Sequence, residues 1–272
     1  MSTLPRPGAW FRRFSAPPEG GTTLLCFPHA GGAAATYFPY ARLLAPTAGV
    51  YGVQYPGRHD RGHEPLVDDL TELADLITTA VRAEPSLAGP AGGRLVLFGH
   101  SMGALVAYEV ARRLEAAPGP GPRPARLIVS GARAPDLPRL GPPVHGLPDE
   151  ALITHLQRLD GTSAEVLADS ELVRMVLPTL RADYKAVESY RGPAPTAGGA
   201  LTCPISVFTG TEDPHVDTAG AARWAEFAPG ASAAPAFDLE PFPGGHFFVN
   251  ARREAVADAL STRLAGVGAL GT

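Results

Sequence analysis

The segment Arg94–Leu114 reads RLVLFGHSMGALVAYEVARRL, and Ser101 stands in it with a glycine two residues away on each side. The G-x-S-x-G spacing alone is modest evidence in a chain with 31 glycines among 272 residues, so its flanks must decide what it is. Before it, Leu95-Val96-Leu97-Phe98 is a short apolar run of the kind buried on both faces of a parallel sheet. After it, Ala104, Leu105, Ala107, Tyr108, Val110, Ala111 and Leu114 recur at helical spacing, whereas Glu109, Arg112, Arg113 and Glu115 are expected to reach water. Ser101 therefore belongs to a strand-to-helix turn. Such a turn strains the serine backbone and needs Gly99 and Gly103 to avoid collisions. It also lifts the hydroxyl above the sheet, beside the unpaired N–H groups of the helix start.

Outward from this point, strand-like runs recur at Leu24–Phe27, Val50–Tyr55, Leu127–Ser130, Ile205–Thr209 and Phe237–Phe242, with AWFRRF near the start as a candidate edge strand. Helical patterns fit Tyr37–Leu44, Leu70–Ala83, Met102–Glu115, Ala219–Phe227 and Arg253–Leu264. The alternation predicts an α/β domain with a mainly parallel sheet flanked by helices. One interval breaks the rhythm, because the stretch from Ser130 to Ile205 is far longer than a crossover helix requires. It starts with the proline-rich ARAPDLPRLGPPVHGLP, carries helical patterns at Asp149–Leu159, Ala164–Asp169 and Glu171–Tyr190, and closes with RGPAPTAGGA. An inserted helical lid over the carboxyl edge of the sheet is expected there, and a helical ornament that only thickens the core is the alternative.

Composition bounds the function. A net charge of −4 offers no basic surface to track a phosphate backbone, so nucleic acid is excluded as a partner. Arg12-Arg13, Arg112-Arg113 and Arg252-Arg253 read as solvated faces. The first twenty residues lack the uninterrupted apolar stretch of a signal peptide, and no run of about 20 apolar residues is present to span a bilayer, so a cytoplasmic protein is expected. Cys26 and Cys203 lie beside apolar runs without a C-x-x-C spacing and read as buried thiols; no zinc-ligand spacing or nucleotide fingerprint occurs.

A serine hydroxyl at neutral pH needs an imidazole to take its proton and an anion to orient that imidazole. Of His29, His59, His63, His100, His145, His155, His215 and His246, the first three precede the serine, where the usual chain order is serine, acid, histidine. His100 is inside the turn, and His145 and His155 fall in the insertion. His246, in PFPGGHFF after the last strand, is the candidate base, with His215 second. For the acid, ISVFTGTEDPHV offers Asp213, which Pro214 holds extended, with Glu212 as competitor and Asp217 further from the strand end. The oxyanion donors are expected to be the N–H of Met102, next to the serine, and that of Ala30 in the glycine-rich loop FPHAGG.

FPHAGG after the first central strand, QYPGR after the next, GHSMGA, TGTEDPHV and GGHFF together resemble, in order and over nearly the whole chain, the type II thioesterases. These are freestanding editing enzymes of polyketide synthases and nonribosomal peptide synthetases. GHSMG is shared with many hydrolases; FPHAGG with QYPGR is the more specific pair. The resemblance implies an α/β-hydrolase fold, which divides this chain into a core of residues 1–133 and 201–272 and a lid of residues 134–200. It implies hydrolysis of aberrant or stalled acyl groups from the phosphopantetheine arm of an acyl carrier protein, in a polyketide pathway on the FPHAGG motif, with peptidyl carrier proteins as the alternative partner. No cofactor of its own is expected, since phosphopantetheine arrives with the substrate, and the chain is expected to be a monomer. Gln54 and Arg58 stay open between a structural loop and substrate contact. A general carboxylesterase or lipase and a non-catalytic carrier-binding scaffold are the rival readings.

Overall fold

Leu24, Leu25, Cys26 and Phe27 have no exposed surface, and neither do Val96, Leu97 and Phe98. Both runs are covered from two sides, the environment that continuous apolar strands require. In the computed structural model, which describes residues 9–45, 47–88, 93–158, 170–230 and 236–268, they are two centre strands of a seven-stranded sheet. The strands are β1 (Phe11–Arg13), β2 (Thr22–Phe27), β3 (Ala48–Val53), β4 (Arg94–His100), β5 (Pro124–Ser130), β6 (Ile205–Gly210) and β7 (Phe237–Phe242). Their order is β1-β3-β2-β4-β5-β6-β7, with β1 antiparallel to β3 and every other pair parallel. The expected α/β sheet is present, and AWFRRF supplies its edge.

Helices α1 (Phe38–Leu44) and α8 (Arg253–Gly268) cover one face, where Tyr40, Leu44, Val256, Leu260 and Leu264 pack on Leu24, Val96, Ile128 and Phe208. The opposite face carries α2 (Leu70–Ala83) and α3 (Met102–Ala116). In α2 the apolar positions Leu70, Leu73, Ala74, Ile77 and Val81 line one side, and Asp69 caps the first turn by accepting the Glu72 N–H at 2.9 Å. Removing that cap costs about 1 kcal/mol.

Two expectations are corrected. Glu109 does not reach water: it is 2% exposed, paired with Arg112 and Arg113, and takes the Tyr190 hydroxyl at 2.6 Å. The Arg112-Arg113 pair is thus tied to a buried carboxylate instead of forming a free solvated face, because the chain leaving the insertion folds across this side of α3. The predicted helix Ala219–Phe227 divides into α6 (Thr218–Ala222) and a 3₁₀ turn, Arg223–Phe227. In a 3₁₀ turn residues i and i+3 eclipse, which sends both Trp224 and Phe227 into the core, with the indole N–H on the Ala132 carbonyl at 2.9 Å.

Between β5 and β6 the insertion contributes α4 (Asp149–Arg158) and α5 (Ser170–Ser189); the helical pattern read at Ala164–Asp169 lies outside the described residues. Val144, Leu152, Leu156, Val173, Leu177, Leu180 and Tyr184 give this segment an apolar cluster of its own. α7 (Phe248–Ala251) is a single turn ahead of α8. Among the described residues no helix is long and apolar enough to cross a membrane. Cys26 and Cys203 are free and buried, and burial pushes both thiols above their ordinary range.

Candidate active site

The chain leaves β2 toward β3 on one side and β4 toward β5 on the other, so the strand order reverses between β2 and β4. That reversal opens a crevice at the carboxyl ends of the two strands. Phe27 pairs with Gly99 across the ladder, so Pro28–Ala30 and Ser101–Met102 leave neighbouring strand ends.

Ser101 is one of two non-glycine residues with positive φ among those described, at φ 55° and ψ −120°. The strain is held by packing. A Cβ on Gly99 would lie 2.1 Å from the Gly103 carbonyl oxygen, and one on Gly103 would lie 2.0 Å from that of Phe27. Neither contact is tolerable, so β4, α3 and β2 approach this closely only over glycine. The Ser101 N–H donates to the Ser130 carbonyl at 2.8 Å, fixing the turn to β5 and leaving the side chain at the crevice.

Two later loops are zipped together above β6 and β7. The N–H groups of Thr211 and Glu212 donate to the carbonyls of Phe242 and Gly244, each at 2.9 Å. This sets Asp213 against His246: Nδ1 of His246 lies 2.7 Å from Oδ2 of Asp213, and Nε2 lies 2.9 Å from Oγ of Ser101. The carboxylate only accepts, so Nδ1 carries the proton, Nε2 is left as acceptor, and the serine hydroxyl donates to it. The Asp213 side chain has no exposed surface. Its second oxygen takes the His215 N–H at 2.8 Å, while the Glu212 side chain is exposed and Asp217 instead caps α6 through the Gly220 N–H.

His215 does not occupy the base position. Its ring stands 5.3 Å from that of His246, and the His100 ring lies 5.1 Å from His246 on another side. Burial, with the nearby His246, lowers His29 and His215 to about 4 and pushes His100 well below its usual value; Arg58 also lowers His29. These imidazoles are neutral at pH 7, and His100 instead faces the Ser130 hydroxyl with Nδ1 at 3.0 Å. Phe247 covers one side of the His246 ring edge-on at 5.1 Å, whereas Phe248 stacks on Phe242.

Ala30 and Met102 both line the cavity that holds Ser101 and His246, and among the described residues neither N–H donates to a loop or turn carbonyl. The insertion supplies much of the cavity lining, the apolar surfaces of Leu137, Tyr184, Val187 and Tyr190 together with Arg139. Gln54 and Arg58 have structural partners. Gln54 accepts the Ala34 N–H at 3.1 Å and donates to the Arg58 carbonyl at 3.2 Å, and Arg58 pairs with Asp183 of α5. Asp183 escaped the sequence reading. Its one signal was an acidic residue within the apolar stripe of α5, one turn from Leu180 and Val187. Among the described residues no cluster of three His, Cys, Asp or Glu side chains is arranged to hold a metal ion.

A parallel sheet carrying a strained serine on a strand-to-helix turn, bonded to a histidine and an acid from later strand ends, defines an α/β hydrolase. A thioesterase-domain family model matches residues 22–264. The chain belongs to the thioesterase family and is a thioester hydrolase. Thioesterase PikA5 of Streptomyces venezuelae is 42% identical to it over 259 residues, 94% of this chain and 86% of the relative. A probable cadicidin biosynthesis thioesterase of Streptomyces griseus is 42% identical over 255 residues, which cover 94% of this chain but only 66% of that protein. Among solved structures, the type II thioesterase BorB from the borrelidin biosynthetic cluster superposes with a TM-score of 0.80 at 42% identity, over 94% of this chain and 98% of that one.

Proposed function

We propose that this chain hydrolyses acyl groups from the phosphopantetheine arm of acyl carrier proteins, as a freestanding type II thioesterase that clears aberrant or stalled chains from a polyketide synthase. The observation that carries the reading is the continuous hydrogen-bonded series Asp213–His246–Ser101, whose serine and histidine line a cavity. The resemblance in biosynthetic-cluster relatives along nearly the whole chain supports the carrier-bound substrate.

In this reading Ser101 Oγ attacks the thioester carbonyl while Nε2 of His246 takes its proton, and Asp213 orients and stabilises the resulting imidazolium. The N–H groups of Ala30 and Met102 hold the oxyanion. The tetrahedral intermediate collapses with breakage of the C–S bond, and the phosphopantetheine sulfur leaves and takes the proton from Nε2, which returns His246 to its neutral form. A thiol with an ordinary pKa near 8.5 leaves with less help from a general acid than an alcohol requires. Water, deprotonated by His246, then attacks the acyl ester on Ser101, and the acid is released as Oγ regains its proton. Residues 134–200 act as the lid, with Tyr184, Val187 and Tyr190 shaping the acyl chamber.

The test compares turnover of acyl-carrier and acyl-pantetheine thioesters with that of matched oxygen esters, across chain length and α-substitution. Higher kcat/KM on the carrier thioesters is expected. Preference for free oxygen esters makes the chain a general esterase, and no fluorophosphonate adduct on Ser101 of the folded protein makes it a silent scaffold.

A further inference from the structure

A buried ion pair joins helix α5 to the loop after β3, its carboxylate also reaches the loop after β2, and no step above uses it. The Asp183 side chain is 3% exposed; its Oδ2 takes the Gly31 N–H at 2.6 Å and also meets the guanidinium of Arg58, whose side chain is 7% exposed. Arg58 is fixed in turn by donation from Nη1 to the Pro56 carbonyl at 2.9 Å and by the Tyr55 ring, 5.0 Å from the guanidinium carbon. Its own carbonyl takes the amide of Gln54, whose oxygen holds the Ala34 N–H. The backbone of FPHAGG and of the turn after it is thus gripped at residues 31 and 34 by side chains from α5 and QYPGR. One turn before Asp183, Leu180 closes over the same spot: a Cβ on Gly31, which has φ +75°, would sit 2.4 Å from its Cδ2.

As a source of stability this arrangement is poor. Burying both charges costs several kcal/mol each, and well-packed apolar residues of similar volume are often as stabilising. What a carboxylate provides, and an apolar side chain does not, is direction: it holds one particular backbone N–H in place. That N–H belongs to the residue immediately after Ala30.

We propose that Asp183 and Arg58 are positioning residues for the oxyanion site: by anchoring the Ala30–Gly31 peptide they keep the Ala30 N–H aimed at the developing oxyanion. The inference rests on the assignment of Ala30 as a donor in the proposed function. Because Asp183 is part of α5, seating of this helix and competence of the oxyanion site become a single event.

The experiment measures kcat and KM of Asp183→Asn and Arg58→Lys on an acyl-pantetheine thioester, together with affinity for an alkylboronic acid. The boronate adduct of Ser101 places an oxygen where the oxyanion forms. D183N is expected to stay folded by circular dichroism and to lose about ten- to a hundredfold in kcat, the scale of a small misplacement at a reacting centre, with KM changed less than twofold. Boronate affinity falls in parallel, and R58K, which keeps the charge, loses less of both than Arg58→Gln. Should D183N not fold, Arg58→Gln, which leaves the carboxylate on Gly31, is read in the same way with a smaller loss. Unchanged kcat per folded molecule, or a loss confined to Tm or KM, overturns the proposal. A backbone ester in place of the Ala30 amide separates the two readings. If the ester is fully active the assignment of Ala30 fails; if the ester is slow and D183N is not, only the positioning role fails.

Discussion

Nε2 of His246 and Oγ of Ser101, 145 residues apart in the chain, stand 2.9 Å from each other, and His215, only two residues from Asp213, makes no such contact. Ser101→Ala and His246→Ala are each expected to lower kcat on an acyl thioester by on the order of ten-thousand-fold or more, with the circular dichroism spectrum unchanged. His215→Ala is expected to change it less than tenfold. An inactive H215A with an active H246A would reassign the base.

Asp213 holds Nδ1 of His246 at 2.7 Å and has no exposed side-chain surface. An amide in its place can present an N–H to the ring and favour the wrong tautomer. Asp213→Asn is therefore expected to lose roughly ten-thousand-fold in kcat while KM stays within a few-fold. Glu212→Gln, at an exposed side chain, is expected to stay within a few-fold of the parent in both. Equal losses in the two variants would contradict the assignment of the acid.

Gly103 tests the packing that strains Ser101. A Cβ there meets the Phe27 carbonyl oxygen at 2.0 Å, so Gly103→Ala must push α3 away from β2. Overpacking of this kind costs about 1–3 kcal/mol, and for a chain of this size the midpoint of thermal unfolding should fall by several degrees. The same shift moves Ser101, so activity per folded molecule should fall as well. A variant with parental Tm and kcat would show that the turn does not depend on this contact.

Stability should decline on mild acidification. His29 is neutral in the folded chain down to about pH 4, because burial, His246 and Arg58 all oppose its charge, whereas in the unfolded chain it takes a proton near 6.5. The unfolded state thus binds more protons between these values, and folding free energy is lost as pH falls through that window. His29 alone accounts for roughly 3 kcal/mol. Its lowered neighbours His100 and His215 act in the same direction. Urea unfolding at pH 7.5 and pH 5 should show the loss, and His29→Gln should reduce the slope; an unaltered slope refutes the contribution.

The parts of this molecule legible in the sequence are those with local physical causes. Apolar runs such as Leu24–Phe27 and Leu95–Phe98 are strands because nothing else buries so short a continuous stretch, and the α2 pattern gave both of its ends. The elbow was readable because its glycines are required by contacts within a few residues of the serine in the chain or across one ladder. Glu109 was misread since helical periodicity describes one helix, and what covers it is Tyr190, from 81 residues away.

By itself, then, the order of residues determined the alternating α/β architecture, the place of the long insertion and which stretches bring a hydroxyl, a carboxylate and an imidazole to strand ends. Tertiary structure alone decided that Nδ1 and Nε2 of one ring face Asp213 and Ser101, that the rings of His100 and His215 flank it without replacing it, and that Asp183 reaches Arg58 and Gly31 across 125 and 152 residues. The division follows from range. Turn strain and hydrophobic period are properties of neighbouring residues, whereas the partner of a buried polar group is whatever the packing of distant elements leaves within about 3 Å of it.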